Sequence, residues 1–202
     1  GLEGKSVIVT GAADGVGLAI ARRFVAVGAR VTMADRDEDQ LAAEVASLSG
    51  ARGEVQFHAG DLREKLSIAN LLAATIDAFD RVDILVNATT HAPLCDDEAT
   101  DEAALATLFS QLVTVPMRLS QAVVKRMQHQ AETRPRDEEA GAIVNICTLA
   151  ARRTLPHLLP YSVAAAAQEQ LTRSQAVDLA PTRIRVNGVA LGGVITPSLR
   201  EC

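Results

Sequence analysis

The sequence predicts an α/β fold of three layers, in which helices cover both faces of a doubly wound parallel sheet. Short runs of β-branched residues alternate along the chain with segments whose apolar residues recur at helical spacing. The first run, residues 7–9, leads into a glycine-rich turn and a helix, and the second run ends in Asp35, eighteen residues past Gly17. With six such strands and the glycine turn after the first, we expect the strand order 3-2-1-4-5-6.

The glycine-rich turn over residues 10–17 reads TGAADGVG. Beyond it, Ile20, Phe24 and Val27 lie on one helical face, and Gly28 is suited to end that helix. Glycines at such a turn let the backbone approach a pyrophosphate, which the free N–H groups at the helix start then bind. The glycines alone leave open a second interpretation, a tight turn without a ligand.

The second and third strands, residues 30–34 and 54–58, are each followed by an acid at the carboxyl edge of the sheet. Asp35 stands where a dinucleotide-binding unit places the residue that accepts hydrogen bonds from the adenosine ribose. A helix over residues 38–48 follows, with Asp37 as a candidate N-cap. The position of Asp35 strengthens the interpretation of the turn as a nucleotide site.

These features resemble the short-chain dehydrogenase/reductase family, and the resemblance covers almost the whole chain. The matching segments are Thr10-Gly11-x-x-x-Gly15-x-Gly17, Asp61-Leu62, Asp83-Ile84-Leu85-Val86-Asn87, Ile143-Val144-Asn145-Ile146, Tyr161 at a helix start, and Arg185-Val186-Asn187. The resemblance implies a Rossmann fold and an NAD(P)-dependent oxidoreductase. Such an enzyme transfers a hydride between nicotinamide and a small-molecule carbonyl or alcohol substrate.

The resemblance also implies which residues bind the cofactor. They are Gly11, Asp14, Gly15, Val16, Gly17, Asp35, Asp61, Leu62, Asn87, Tyr161, Gly192 and Thr196. In the family, the acid at Asp61 contacts the adenine amino group, and the side chain at Leu62 packs on the ring. An N-cap role for Asp61, at the start of a helix over residues 63–79, is an equally open interpretation that does not exclude the first.

The catalytic residues that the resemblance implies are Tyr161 and Thr148. Tyr161 is the only tyrosine of the chain, and a tyrosine can exchange a proton with the substrate oxygen if its pKa falls from about 10 toward neutrality. Thr148 stands where the family has a serine whose hydroxyl binds that oxygen. The alternative for Tyr161 is ordinary packing of an amphipathic side chain at a helix start.

Four positions depart from the family pattern. Ala165 replaces a lysine one helical turn after Tyr161, and Leu112 replaces an asparagine that holds a proton-relay water. Thr90 and Leu191 stand where a glycine and a proline are usual. We therefore expect weak turnover, and a non-catalytic nucleotide-binding or structural relative is the alternative.

The preferred cofactor is expected to be NAD, with NADP second. Asp35 would repel a 2′-phosphate, and Asp14 occupies a turn position where phosphate-binding relatives often have Lys or Arg. Arg36 is the competing possibility, because its guanidinium could bind a phosphate if it turned inward.

Residues 102–127 predict one long apolar helix, with Pro116 allowing a bend. In the family this helix builds a subunit interface, so we expect a homo-oligomer, a dimer or tetramer, joined through this helix and the one over residues 161–179. Packing of the helix against its own sheet is the alternative.

Composition excludes several classes of protein. A formal net charge of −5 and an isoelectric point near 5.4 argue against a nucleic-acid or anionic-membrane surface. Apolar runs are too short for a membrane span, and no secretory signal is evident. Neither the histidines nor the cysteines show metal-ligand spacing, and the odd number of cysteines suits reduced thiols. The residues concerned are His58, His91, His129, His157, Cys95, Cys147 and Cys202.

These observations predict a single cytoplasmic domain over residues 1–202, without a metal. Family members continue through a substrate-covering loop, another helix and a seventh strand, whereas this sequence ends at Cys202. We therefore expect a sheet that lacks its C-terminal strand, either because the chain is trimmed or because its pocket is built differently.

Overall fold

The computed structural model describes residues 1–89, 102–135, 137–153, 156 and 158–194. Six strands form one sheet in which every neighbouring pair is parallel. They are β1 Ser6–Thr10, β2 Arg30–Asp35, β3 Glu54–Ala59, β4 Ile84–Asn87, β5 Gly141–Thr148 and β6 Ile184–Leu191. Their spatial order, β3-β2-β1-β4-β5-β6, confirms the predicted doubly wound topology.

Helices cover both faces of this sheet. They are α1 Gly15–Ala26, α2 Glu38–Ser47, α3 Lys65–Phe79, α4 Glu102–Phe109, α5 Val115–Ala131 and α6 Leu159–Leu179. The side chains of β1 alternate between two cores: Ile8 packs with α3 and α5, whereas Val7 and Val9 pack with α1 and α2. Burial on both faces explains why the strand is apolar without interruption, and it confirms the three layers.

Several helix ends follow the sequence rules. The Asp37 carboxylate accepts from the Gln40 N–H at 3.0 Å, which confirms it as the N-cap of α2. Gly28 follows the end of α1 with a φ of +88°, a conformation that glycine adopts without steric cost. The N-cap role considered for Asp61 is wrong, because α3 begins at Lys65 after Glu64.

The prediction of a helical segment over residues 102–127 is confirmed, but the segment is not one regular α-helix. A π-helical turn, Ser110–Thr114, separates α4 from α5, and α5 continues to Ala131. Within the turn, the Val115 N–H donates to the Ser110 carbonyl, five residues earlier. Pro116 has no N–H to continue a regular α-helical ladder, and the wider turn adjusts the hydrogen bonds around that gap.

Candidate active site

The glycines of the turn are required by the close approach of three backbone segments. A Cβ on Gly17 would lie 2.0 Å from the Gly11 carbonyl oxygen, and a Cβ on Gly11 would lie 2.8 Å from the Ala88 carbonyl oxygen. Gly11 and Gly15 also have positive φ angles, +62° and +56°. The turn therefore joins the end of β1, the start of α1 and the end of β4 at one point of the carboxyl edge.

The first N–H of α1 has a partner within the chain. Asp14 is the N-cap, and its Oδ1 accepts from the Gly15 N–H at 2.5 Å. The carboxylate thus lies at the positive end of the helix, where negative charge is stabilised. Val16, in the first turn of the helix, is half-buried.

Asp35 ties the end of β2 to the glycine turn. Its Oδ2 accepts from the Ala13 N–H at 3.2 Å, and its Oδ1 accepts from the N–H groups of Arg36 at 2.7 Å and Asp37 at 3.5 Å. A carboxylate has about four lone-pair directions. These three bonds leave one lone-pair direction of Oδ2 unused, and a hydroxyl group could donate a hydrogen bond to it.

Asp61, at the end of β3, is engaged by Arg63. The Arg63 Nε lies 3.0 Å from Oδ1 and 2.9 Å from Oδ2, Nη2 lies 2.5 Å from Oδ2, and the Arg63 N–H donates to Oδ1 at 2.9 Å. The side-chain hydrogen bond from Arg63 is the main reason that the pKa of Asp61 falls below its usual value. The Leu62 side chain is buried in the core together with Ile8 and Ile68.

A buried polar chain runs behind the site and was not predicted from the sequence. Asn87 Nδ2 donates to Asn145 Oδ1 at 2.8 Å, Asn145 Nδ2 donates to the Thr172 hydroxyl at 2.9 Å, and that hydroxyl donates to the Gln168 carbonyl at 2.9 Å. These bonds connect β4 and β5 to α6, the helix that contains Tyr161 in its first turn. Asn87 Oδ1 is buried without a hydrogen-bond partner among the described residues.

Tyr161 and Thr148 meet at the carboxyl edge of β5. Tyr161 is only 6% exposed, and the Thr148 hydroxyl lies close enough to its phenol to influence its pKa. Burial raises the pKa of Tyr161 above its usual value, and the nearby Thr148 hydroxyl opposes that shift in part. Thr148 also accepts from the Ala150 N–H at 3.2 Å, which holds the short 3₁₀ turn Leu149–Ala151 beside it.

The groups around Tyr161 are apolar where the family has polar ones. Ala165 is fully buried, and Leu112 packs with Tyr161 and Ala164 in a small third core. Among the described residues, no cation contributes to the shift in the Tyr161 pKa. Gln111, next to Leu112 in the π turn, has a buried side-chain oxygen that finds no partner within the described part of the chain.

The remaining predicted positions lie at the end of β6 or outside the described residues. Gly192 directly follows β6 and is exposed, and a Cβ there would make only an ordinary 3.7 Å contact with Leu149. Cys147 is buried with a free thiol. The positions outside the described residues are Thr90, His91, Cys95, His157, Thr196 and Cys202.

The described residues also show whether the chain has features of a metalloprotein or of a membrane-spanning protein. In the described ranges, no group of three or more His, Cys, Asp or Glu side chains is placed to hold a metal ion. The helices described there are also too short or too polar to cross a membrane.

Comparisons with known proteins agree with this geometry. The family model described as short chain dehydrogenase matches residues 5–202. An uncharacterized oxidoreductase of Thermotoga maritima is 34% identical over 190 residues, which are 94% of this chain and 72% of that protein.

Two solved structures share the fold at high similarity. L-sorbose reductase from Gluconobacter frateurii, complexed with NADPH and L-sorbose, has a TM-score of 0.88 and 25% identity over 98% of this chain and 73% of its own. An NAD⁺-bound xylitol dehydrogenase has a TM-score of 0.83 and 26% identity over 95% of this chain and 71% of its own. The chain therefore belongs to the short-chain dehydrogenase family of NAD(P)-dependent oxidoreductases.

Proposed function

We propose that this protein is an NAD(P)-dependent oxidoreductase that works mainly as a reductase of small carbonyl compounds. The observation that supports this proposal is the buried Tyr161 phenol with the Thr148 hydroxyl close to it, at the same sheet edge as the glycine turn. A neutral phenol there can protonate a carbonyl oxygen, which reduction requires.

The residues of the site fit a dinucleotide. The glycines of the turn carry no side chain that would block the approach of a phosphate, and the hydrogen bonds of Asp35 leave it able to accept from a hydroxyl. When bound, the nicotinamide supplies the hydride. Asp14 has to release the Gly15 N–H if that group is to bind a phosphate, so we expect moderate cofactor affinity.

The chain's own residues then handle the substrate oxygen and its proton. Thr148 positions the oxygen through its hydroxyl, and Tyr161 donates the proton to it. Oxidation of an alcohol needs the phenolate, and burial without a neighbouring cation disfavours that form. The absence of a cation at Ala165 therefore slows reduction less than it slows oxidation.

We propose NAD as the preferred form of the cofactor. Asp35 accepts from backbone N–H groups of the glycine turn and of the residues after β2, and its negative charge opposes a 2′-phosphate. Arg36 is the residue that could reverse this preference, because it lies close enough to influence the neighbouring Asp61.

A non-catalytic relative that binds a nucleotide or serves as a structural partner is the second candidate. The fully buried Ala165 and the apolar Leu112 favour it, since both remove polar groups that assist proton transfer in the family. The two candidates agree on nucleotide binding and differ only in turnover.

One experiment separates these candidates. NADH and NADPH are titrated by calorimetry, and carbonyl reduction is then followed by nicotinamide absorbance, with Tyr161→Phe as the control. We expect tighter binding of NADH and turnover above the Tyr161→Phe background. Binding without such turnover favours the non-catalytic relative, and tighter NADPH binding overturns the proposed preference.

We further propose a single cytoplasmic domain that forms a homo-oligomer. The continuous cores on both sheet faces support the single domain, and the free thiol of Cys147 supports the compartment. For the oligomer, α4 packs against α6, and Phe109, Leu159 and Val163 on these helices are exposed. Sedimentation that gives a monomer at micromolar concentration contradicts the oligomer.

A further inference from the structure

Three adjacent segments of the carboxyl edge set the path of a bound nucleotide. The Ala12 N–H donates to the Ala34 carbonyl at 3.3 Å, and the Gly60 N–H donates to the Asp35 carbonyl at 2.8 Å. The glycine turn, Asp35 and Asp61 therefore follow one another along the edge. With its phosphates at the turn and its ribose at Asp35, a dinucleotide extends its base toward Asp61.

The group that such a base meets is an ion pair. The four hydrogen bonds from Arg63 use both oxygens of Asp61, two bonds on each. The Nε–H is shared between the two oxygens, so three N–H groups of Arg63 make these four contacts and engage both oxygens of the carboxylate. The exocyclic amino group of adenine, a donor, therefore has to compete with Arg63 for Asp61.

The same ion pair leaves part of the guanidinium without a bond to Asp61. The bonds from the Arg63 side chain to Asp61 use Nε and Nη2, so the hydrogens of Nη1 are not used by Asp61. The Arg63 side chain is 42% exposed and Asp61 is 27% exposed, so both can be reached by a ligand. Arginine donors pair well with the oxo group and ring nitrogen of a 6-oxopurine.

We propose that Arg63 sets base specificity at this site by occupying the Asp61 carboxylate. As a result, the protein accepts a 6-oxopurine dinucleotide about as well as an adenine dinucleotide. This inference rests on the proposed nucleotide binding and deepens it by naming the base that the edge accepts. An exposed ion pair contributes little to stability, so Arg63 can move, and the effect of its removal on binding is expected to be moderate.

The test measures binding rather than turnover. NAD and nicotinamide hypoxanthine dinucleotide are titrated by calorimetry against the unmodified protein and Arg63→Met, which keeps an unbranched apolar side chain. For the unmodified protein we expect the two Kd values to agree within roughly threefold. In Arg63→Met, the freed carboxylate should favour NAD over the hypoxanthine form by about fivefold or more.

Two further variants sharpen the result. Arg22→Met removes a comparable exposed arginine, which binds Glu44 through Nε and Nη2 away from the edge, and its Kd ratio should stay unchanged. Asp61→Asn combined with Arg63→Met should return the ratio toward that of the unmodified protein, because the amide can donate as well as accept.

Three outcomes overturn the inference. An unmodified protein that already prefers NAD by about tenfold or more, or an Arg63→Met variant with an unchanged ratio, removes Arg63 from base selection while the proposed nucleotide binding stands. Absence of binding of both dinucleotides to the folded, unmodified protein overturns the nucleotide site itself.

Discussion

The two halves of the carboxyl edge differ in the polar groups that they keep. The nucleotide half, formed by the ends of β1, β2 and β3, has the glycine turn and two carboxylates tied into hydrogen bonds. The catalytic half, formed by the ends of β4, β5 and β6, has Tyr161 and Thr148 but apolar residues around them. Both halves belong to the same sheet, so apolar residues around Tyr161 are compatible with the glycine turn and the two carboxylates at the other end of the edge.

This difference follows from what each half requires of the backbone. In the nucleotide half, Gly17 is fixed by its contact with the Gly11 carbonyl, so the fold depends on it whether or not a ligand binds. In the catalytic half, Ala165 and Leu112 fill their positions as ordinary core residues. Their replacement of polar residues can therefore leave the stability of the fold largely unchanged.

The largest expected effect concerns the glycine turn. We expect Gly17→Ala to lower the free energy of unfolding by more than about 3 kcal/mol, because its Cβ would lie 2.0 Å from a backbone oxygen that cannot move without the turn. Urea denaturation measures this change. Gly193→Ala is the matched control, since among the described residues no atom beyond its chain neighbours lies within 4 Å of the added Cβ; equal losses in both variants would contradict the prediction.

The next effect tests the catalytic half alone. Tyr161→Phe should lower kcat/KM for carbonyl reduction by about 100-fold or more, the usual contribution of a general acid. Its Kd for the cofactor should change by less than about threefold, because the proposed phosphate and ribose contacts lie in the nucleotide half. Stopped-flow rates and calorimetry on the same samples measure the two quantities. Retention of full activity in the phenylalanine variant would show that the reaction uses another acid.

Restoration of the missing cation should have a smaller effect. Ala165→Lys is expected to lower the pKa of Tyr161 by about 1 to 3 units and to raise alcohol oxidation by about tenfold near neutral pH. Tyr161 is the only tyrosine in the chain, so the ultraviolet absorbance of tyrosinate reports its ionisation directly.

A control is needed because position 165 is fully buried. Ala165→Met introduces a similar volume without charge, so it separates overpacking from electrostatics. If the lysine and methionine variants titrate at the same pH, the ammonium does not act on the phenol, and the proposed cause of weak oxidation is incorrect.

The order of the strands could be predicted from the sequence because buried parallel strands are continuously apolar and the glycine turn identifies the first. The π turn could not be predicted, since Pro116 shows where a regular ladder fails but not how the neighbouring carbonyls adjust. The N-cap role of Asp14 had a signal in the sequence, an aspartate directly before the start of a helix.

The side-chain contacts of the site could not be predicted from the sequence, because they depend on how each side chain is oriented in the fold. Arg63 lies two residues after Asp61, but the spacing alone does not say that its guanidinium turns back onto the carboxylate. The chain from Asn87 through Asn145 to Thr172 joins residues that are far apart in sequence, and only the register of β4 and β5 brings them together. The separate roles of Tyr161 and Thr148 were implied by family resemblance, and they stay predictions.

The smallest expected effect tests the interaction between Thr148 and Tyr161. The Thr148 hydroxyl lowers the pKa of Tyr161 against the larger effect of burial, so its removal in Thr148→Val should raise that pKa further. We expect this change to be smaller than the one from Ala165→Lys, because a neutral polar contact contributes only about 1 kcal/mol. Thr148→Ser keeps the hydroxyl and should titrate as the unmodified protein does. The absorbance of tyrosinate is followed while circular dichroism confirms that each variant stays folded at alkaline pH. If the valine variant titrates at the same or a lower pH, the hydroxyl does not stabilise the phenolate, and the catalytic half lacks even this polar contact.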